Sequence, residues 1–308
     1  TGPFFPDLRT FKKYNCMKNL PILLAAWLLA CSPLTAQKTD YRTAYFPHVQ
    51  LAEMAIIAED FGGALTYYQQ AYSAVNNGFA RDYHNAALCA MKVGQPDTAF
   101  DFFEKMALKG VTMEHFSKPE FAPLHVAAGW LSFQNRYPDL HDEHLETTDL
   151  GYRETLSAMH NLDQEFRTKK GSYAVYRDTI RILDSLNINR FFSLVATRGF
   201  PSEELIGTDF PGLPVYNIVL LHHAQHLSIP ADYPGWAELS DMLVAAIQAG
   251  EVDPFHAVQY LAMQNRKPYH LVSPEILCFR IEGKEQPEYY LSIPTDKTAT
   301  NTLRASLG

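Results

Sequence analysis

Asn85-Ala-Ala-Leu-Cys-Ala-Met-Lys-Val-Gly-Gln-Pro-Asp-Thr-Ala-Phe-Asp-Phe-Phe-Glu-Lys-Met-Ala-Leu-Lys-Gly110 is the stretch that decides the fold. Apolar and small residues recur at helical spacing on both sides of Val93-Gly94-Gln95-Pro96. Glycine followed by proline punctuates a turn, so the stretch reads as two short helices folded back on each other. Pro96 suits the entry of the second helix, and Asp97 or Thr98 is its expected cap. The pattern also stands one unit earlier. Ala52, Phe61, Ala64, Tyr68 and Ala71 align with Ala87, Pro96, Ala99, Phe103 and Met106, each pair 35 residues apart. Glu59-Asp60-Phe61-Gly62-Gly63-Ala64 is the matching turn. Self-similarity at a fixed period of this length is the mark of a helical solenoid.

The unit resembles the tetratricopeptide repeat, a pair of antiparallel helices in about 34 residues. Its small residues let the helices approach closely, and its aromatic fills the groove to the next unit. Pro119-Glu-Phe-Ala-Pro-Leu124 and Gly129-Trp130-Leu-Ser-Phe133 resemble the short helix and sealing tryptophan of tetratricopeptide-like segments in exported Bacteroidetes-type proteins. About three units are needed to bury a continuous core, so the region near Trp130 and the chain beyond it are expected to cover the open end. Two readings stand for residues 41–136: a concave surface for a protein or peptide, or a helical spacer.

Residues 137–150 are polar and aperiodic and read as a linker. His141 and His144 lie in it, and with no second pair of ligands nearby they read as part of a polar loop. From Tyr152 the helical period returns through Leu156, Met159, Leu162 and Phe166, then through Tyr173, Tyr176, Ile180 and Leu183. Asn187-x-Asn189 reads as the start of a further helix, which Arg198-Gly199-Phe200-Pro201 ends. Tyr216 to His226 is an apolar helix carrying three histidines, and Leu239 to Ala249 is another, ended by Gly250. Ile276–Ile281 and Glu288–Ile293 read as two strands around Gly283, a β-hairpin near 275–294.

Several pieces, in order, resemble the uncharacterised DUF6624 family over about residues 152–308. They are Asp163-Gln164-x-x-Arg167, Gly199-Phe200-Pro201, Ile206-Gly207, His223-Ala224, Gly250-Glu251-Val252 and Asn265-Arg266. The closing Asn301-Thr-Leu-Arg304 segment also fits. Gln225 and Asn265 stand where the family tends to have aspartate. The family has no established activity, so the resemblance supplies relatives rather than a reaction.

Two chemical arrangements suit these residues. In the first, His223 is a general base oriented by Asp163, with Arg167 or Arg266 holding an anion. In the second, His222 and His226, one helical turn apart, present two imidazoles on one face as helical metal sites do. The glutamate that follows the first histidine of a metalloprotease motif is absent, since His223 occupies that position. The competing interpretation is a polar network that pins helices together. No Gly-rich phosphate loop or nucleophile elbow is present, no cofactor is expected, and a divalent metal is the one ion that the histidines bring into question.

Met17-Lys18 followed by the apolar run Asn19–Ala30 reads as a secretory signal, too short to span a bilayer. Residues 17–36 are then the signal, and 1–16 are upstream sequence or an extended n-region. Cleavage after Ala36 gives a soluble exported protein. Cleavage before Cys31, which follows Leu28-Leu29-Ala30, gives a lipid-anchored one. A net charge of -8 over 308 residues excludes a basic field for nucleic acid. Apolar residues at 47% and charged residues at 19% exclude a disordered chain. The expected fold is mainly α: a tetratricopeptide-like array, then a second all-α domain over 151–308 with a C-terminal hairpin.

Overall fold

The computed structural model describes residues 39–225, 236–257 and 260, and among them every regular element is a helix. The mainly α expectation is met. The signal segment with Cys31, His226, Arg266 and the hairpin near 275–294 lie outside the described residues. No helix among the described residues is long and apolar enough to cross a membrane.

Asp40 accepts from the Arg42 backbone N–H at 3.0 Å and caps α1 (Tyr41–Ala44). Next come α2 (Phe46–Ile57) and α3 (Phe61–Ala74), joined by the expected turn. Asp60 caps α3 by accepting from the Gly63 N–H at 2.8 Å. The second pair is α4 (Ala80–Lys92) and α5 (Pro96–Ala107). Pro96 occupies the first turn of α5 as expected, but neither Asp97 nor Thr98 caps it. Gln95 is the cap residue, and its side chain makes no capping bond. Proline brings its own fixed φ to the first turn, which lessens the need for a cap.

Eight of the ten positions aligned 35 residues apart are the core of these helices, and Phe61 and Pro96, at the turns, are partly buried. Ala52, Ala64, Ala71, Ala87, Ala99, Tyr68, Phe103 and Met106 are all fully buried. α2 packs on α3, α3 on α4 and α4 on α5, and each alanine marks a place where two helices come close. Phe103 sits 4.8 Å from the rings of both Phe116 and Phe121 and 5.4 Å from Phe133. Burying such a ring contributes about 1.5–3 kcal/mol, so these contacts hold the following segment against the repeats.

That segment comprises α6 (Met113–Phe116), a 3₁₀ turn (Pro119–Phe121), α7 (Ala122–His125) and α8 (Gly129–Thr147). Residues 137–147 are therefore helix rather than linker. Pro138 lies inside α8 and costs it a hydrogen bond, about 3 kcal/mol in a helix interior. Against that cost stand Phe133, Leu140 and His144, all buried, with Tyr137 half-buried among them and donating to the Val111 carbonyl at 3.2 Å. Spacings of four, three and four put these residues on one helix face.

His144 is a packed residue, not a loop residue. Its Nδ1 lies 3.2 Å from the Leu108 carbonyl and 3.1 Å from the Thr148 hydroxyl. Two glycines with positive φ, Gly110 and Gly207, make room for its ring. A Cβ on Gly110 would meet Nε2 at 2.5 Å, and one on Gly207 would meet Cε1 at 2.7 Å.

Asp149 then caps α9 (Leu150–Arg167) through the Tyr152 N–H at 2.9 Å. α10 (Ser172–Arg198) is one run of 27 residues with a non-helical Tyr176 near its start. Asn187 therefore sits inside α10 rather than starting a new helix. Its side chain donates to the Met159 carbonyl at 3.2 Å, which gives the buried amide a partner without breaking the helix. Gly199, at φ 88, ends α10 as expected. The remaining elements are α11 (Glu203–Ile206), α12 (Asn217–Gln225) and α13 (Trp236–Ala249).

The apolar core forms two clusters, one ending at Leu140 and the other beginning at Tyr152. Polar bonds cross between their segments. The Ala80 N–H donates to Glu203 Oε2 at 2.9 Å, and the Thr208 N–H donates to the Lys109 carbonyl at 2.8 Å. Lys109, buried, pairs with Glu203 at 3.4 Å and with Glu204.

Candidate functional site

α9, α10 and α12 pack together and bring one polar cluster into their shared core. Asp163 and Arg167 come from the last turns of α9, four residues apart and on one face. Asp184 comes from α10 and His222 from α12. The Asp163, Arg167, Asp184 and His222 side chains are 1%, 8%, 5% and 13% exposed.

Arg167 is the hub. One guanidinium nitrogen lies 3.0 Å from Asp163 Oδ2, and the other donates to both oxygens of Asp184 at 2.8 Å. Burial works against the guanidinium charge. The bonds to Asp184 and the neighbouring Asp163 outweigh it and hold Arg167 above its usual pKa. The His222 ring places Nδ1 2.8 and 2.9 Å from the two Asp163 oxygens. A carboxylate only accepts, so this bond puts a hydrogen on Nδ1. Nε2 makes no hydrogen bond to a described residue.

The histidine that meets Asp163 is thus His222, not His223. Successive residues on a helix point about 100° apart, so only one of the pair can face α9. His223 instead lies edge-on to Phe192, with centroids 6.3 Å apart. Asp163 and Arg167 meet as expected, while Arg266 and His226 lie outside the described residues. Asp184 escaped the sequence reading, although it left a signal. It stands with Asn187 inside the buried stripe Ile180, Asp184, Asn187, Ile188 and Phe191, where an unpaired polar side chain would be costly.

Asp163, Asp184 and His222 place donor atoms within 4.8 Å of one another, close enough to share a cation. Arg167 already pairs with both carboxylates, so a metal would have to displace the guanidinium. The donor set is metal-like, but its carboxylates already share a cation.

A second feature lies elsewhere. A cavity of roughly 550 Å³ opens between the start of α4, the loop 201–216 and residues 251–256. Phe79, Ile206, Phe210, Leu213 and Phe255 give it apolar walls. Arg81 lines it and is held by acids, 3.3 Å from Glu53, 3.0 Å from Asp82 and 3.3 Å from Asp253. Burial pushes the Glu53 carboxyl up to about 8, with Arg81 opposing the rise. His256, also in the lining, is pushed down by burial. The lining and its nearest supports hold the cations Arg81, Lys109 and Arg153. They face the carboxylates of Asp82, Glu203, Glu204, Asp209, Glu251 and Asp253. The sequence offers little sign of this site, because its residues come from three distant stretches.

Comparison with protein-family models, with curated proteins and with solved structures finds no match for this chain.

Proposed function

We propose that this protein is a non-enzymatic binding protein of tetratricopeptide-like build that takes a basic peptide side chain into the cavity beside Arg81. The observation that carries the reading is the cavity itself. Roughly 550 Å³ is the size of a small-ligand site, and its apolar walls with a few convergent polar groups are the usual composition of one. Carboxylates outnumber cations around it, so a lysine or arginine side chain is favoured over an anion. The aromatic walls suit the methylene stem of such a side chain. Export, read from Met17 to Ala36, belongs to the same proposal and would place the site outside the cytoplasm.

Ligand-observed NMR with N-acetyl-lysine amide, N-acetyl-arginine amide and their glutamate counterpart tests the charge preference. Binding of the cations alone supports the proposal. Preferential binding of the glutamate compound refutes it.

One observation favours a second reading, an acid/base site at His222. An Asp–His pair that holds Nδ1 on the carboxylate, with Nε2 unbonded to any described residue, is the arrangement of a general base. A panel of ester and amide substrates tests it. Turnover that disappears in His222→Gln supports this reading, and activity unchanged in that variant removes it.

A further inference from the structure

His84 in α4, His115 in α6 and Glu120 in the 3₁₀ turn converge at the end of the repeat segment. His84 Nδ1 and His115 Nε2 are 3.1 Å apart, and Glu120 Oε1 lies 4.0 Å from His84 Nε2. Donor atoms of all three residues fall within 4.8 Å of one another. Both histidines are buried, and Glu120 is half-buried. We propose that His84, His115 and Glu120 form a binding site for a divalent first-row transition metal, with zinc the best fit.

Satisfaction of polar groups supports the assignment. With no metal, the two rings share a single hydrogen bond, which uses one nitrogen of each. His115 Nδ1 is then buried with no partner. The half-buried Glu120 carboxylate makes no hydrogen bond to a described residue. A buried group without a partner costs about 1–3 kcal/mol, so the cluster is under-used as a purely structural network. The Asp163 cluster differs, because Arg167 already spans its carboxylates.

The geometry suits a metal. Each of the three residues offers one donor atom within 4.8 Å of the other two, a spacing that a single ion can span. Two imidazoles and one carboxylate are the donors of catalytic zinc sites and of non-haem iron(II) sites, both of which keep open positions. Lys118 is the neighbouring cation that works against a metal, and the Glu120 charge offsets it. Aromatic rings wall the site. Phe210, which lines the 550 Å³ cavity, lies 5.2 Å from both the His84 and His115 rings. A metal here would thus stand one side chain away from that cavity.

Untagged full-length protein, purified without chelator, is analysed for elemental zinc and iron and titrated with cobalt(II) as a spectroscopic probe. The expected result is about one equivalent of metal and a cobalt spectrum of mixed nitrogen and oxygen ligation. Which element dominates separates zinc from iron. Glu120→Gln should weaken cobalt binding by more than about tenfold, and His115→Gln should abolish it. His160→Ala, at a histidine outside the cluster, should bind as wild type does. If His115→Gln fails to fold, the half-buried Glu120→Gln variant decides. No binding by the wild type, or binding that Glu120→Gln leaves unchanged, overturns the assignment.

Discussion

Replacing Arg167 with methionine tests the polar cluster most severely. Methionine keeps much of the aliphatic volume and removes the charge. The variant leaves Asp163 and Asp184 facing each other at 1% and 5% exposure without their shared cation. Removing one partner of a buried ion pair costs about 3–5 kcal/mol, because the remaining charge is stranded. At about 2–4 °C per kcal/mol for a domain of this size, the melting temperature should fall by roughly 6–20 °C. Asp184→Asn is the contrast. Its amide oxygen can still accept from Arg167, and Asp163 still pairs with it, so the loss should be about 1–2 kcal/mol. The two residues share a network, so the double variant should lose less than the sum of the single ones by at least about 1 kcal/mol. Circular dichroism at 222 nm during thermal and urea unfolding reads all three variants. An Arg167→Met protein that melts within about 2 °C of wild type would refute the picture of a desolvated hub.

Three further expectations concern burial and packing. Glu53 has its pKa raised in the fold, so its protonated form stabilises at low pH and that contribution is lost as pH rises through about 8. Urea midpoints measured from pH 5 to 9 should therefore fall toward the alkaline end, and Glu53→Gln should flatten that fall; an unchanged alkaline limb in that variant contradicts the assignment. The Cys89 thiol is buried and pushed up to about 12. Peptide mapping after iodoacetamide should find it modified only in denaturant, and ready alkylation of the native protein would count against the packed α4. Gly110→Ala combines a positive φ with a contact on His144 and should cost at least about 1–2 kcal/mol, so a melting temperature equal to wild type would argue against the placement of that ring.

The repeat segment was legible because its signal is local. Alanines and aromatics at a 35-residue period report directly where helices touch, and Ala52, Ala64, Tyr68 and Ala71 with their partners Ala87, Ala99, Phe103 and Met106 all lie in the core. The stretch 137–150 misled because its apolar face, Phe133, Tyr137, Leu140 and His144, is diluted by seven polar neighbours and a proline. Tertiary burial of that face overrode local composition. Asp163 and Arg167 could be paired from their spacing alone. The choice between His222 and His223 could not, because it depends on how α12 is rotated against α9 to bury Val219, Leu220 and Ala224. The cavity at Arg81 and the cluster at His84 were beyond reach for the same reason. Each gathers residues from separate helices and loops, and only packing brings them together.

The cavity beside Arg81 is proposed to receive a basic side chain. Isothermal titration of the untagged protein with short peptides of one sequence, carrying lysine, norleucine or glutamate at the central position, addresses it directly. Leu213→Arg, at an exposed residue of the cavity lining, serves as the matched variant. The lysine peptide should bind, norleucine more weakly and glutamate not at all, with a loss of at least about tenfold in Leu213→Arg from like-charge repulsion. Lysine and glutamate peptides that bind alike, or a lysine peptide that binds Leu213→Arg as tightly as wild type, would contradict it.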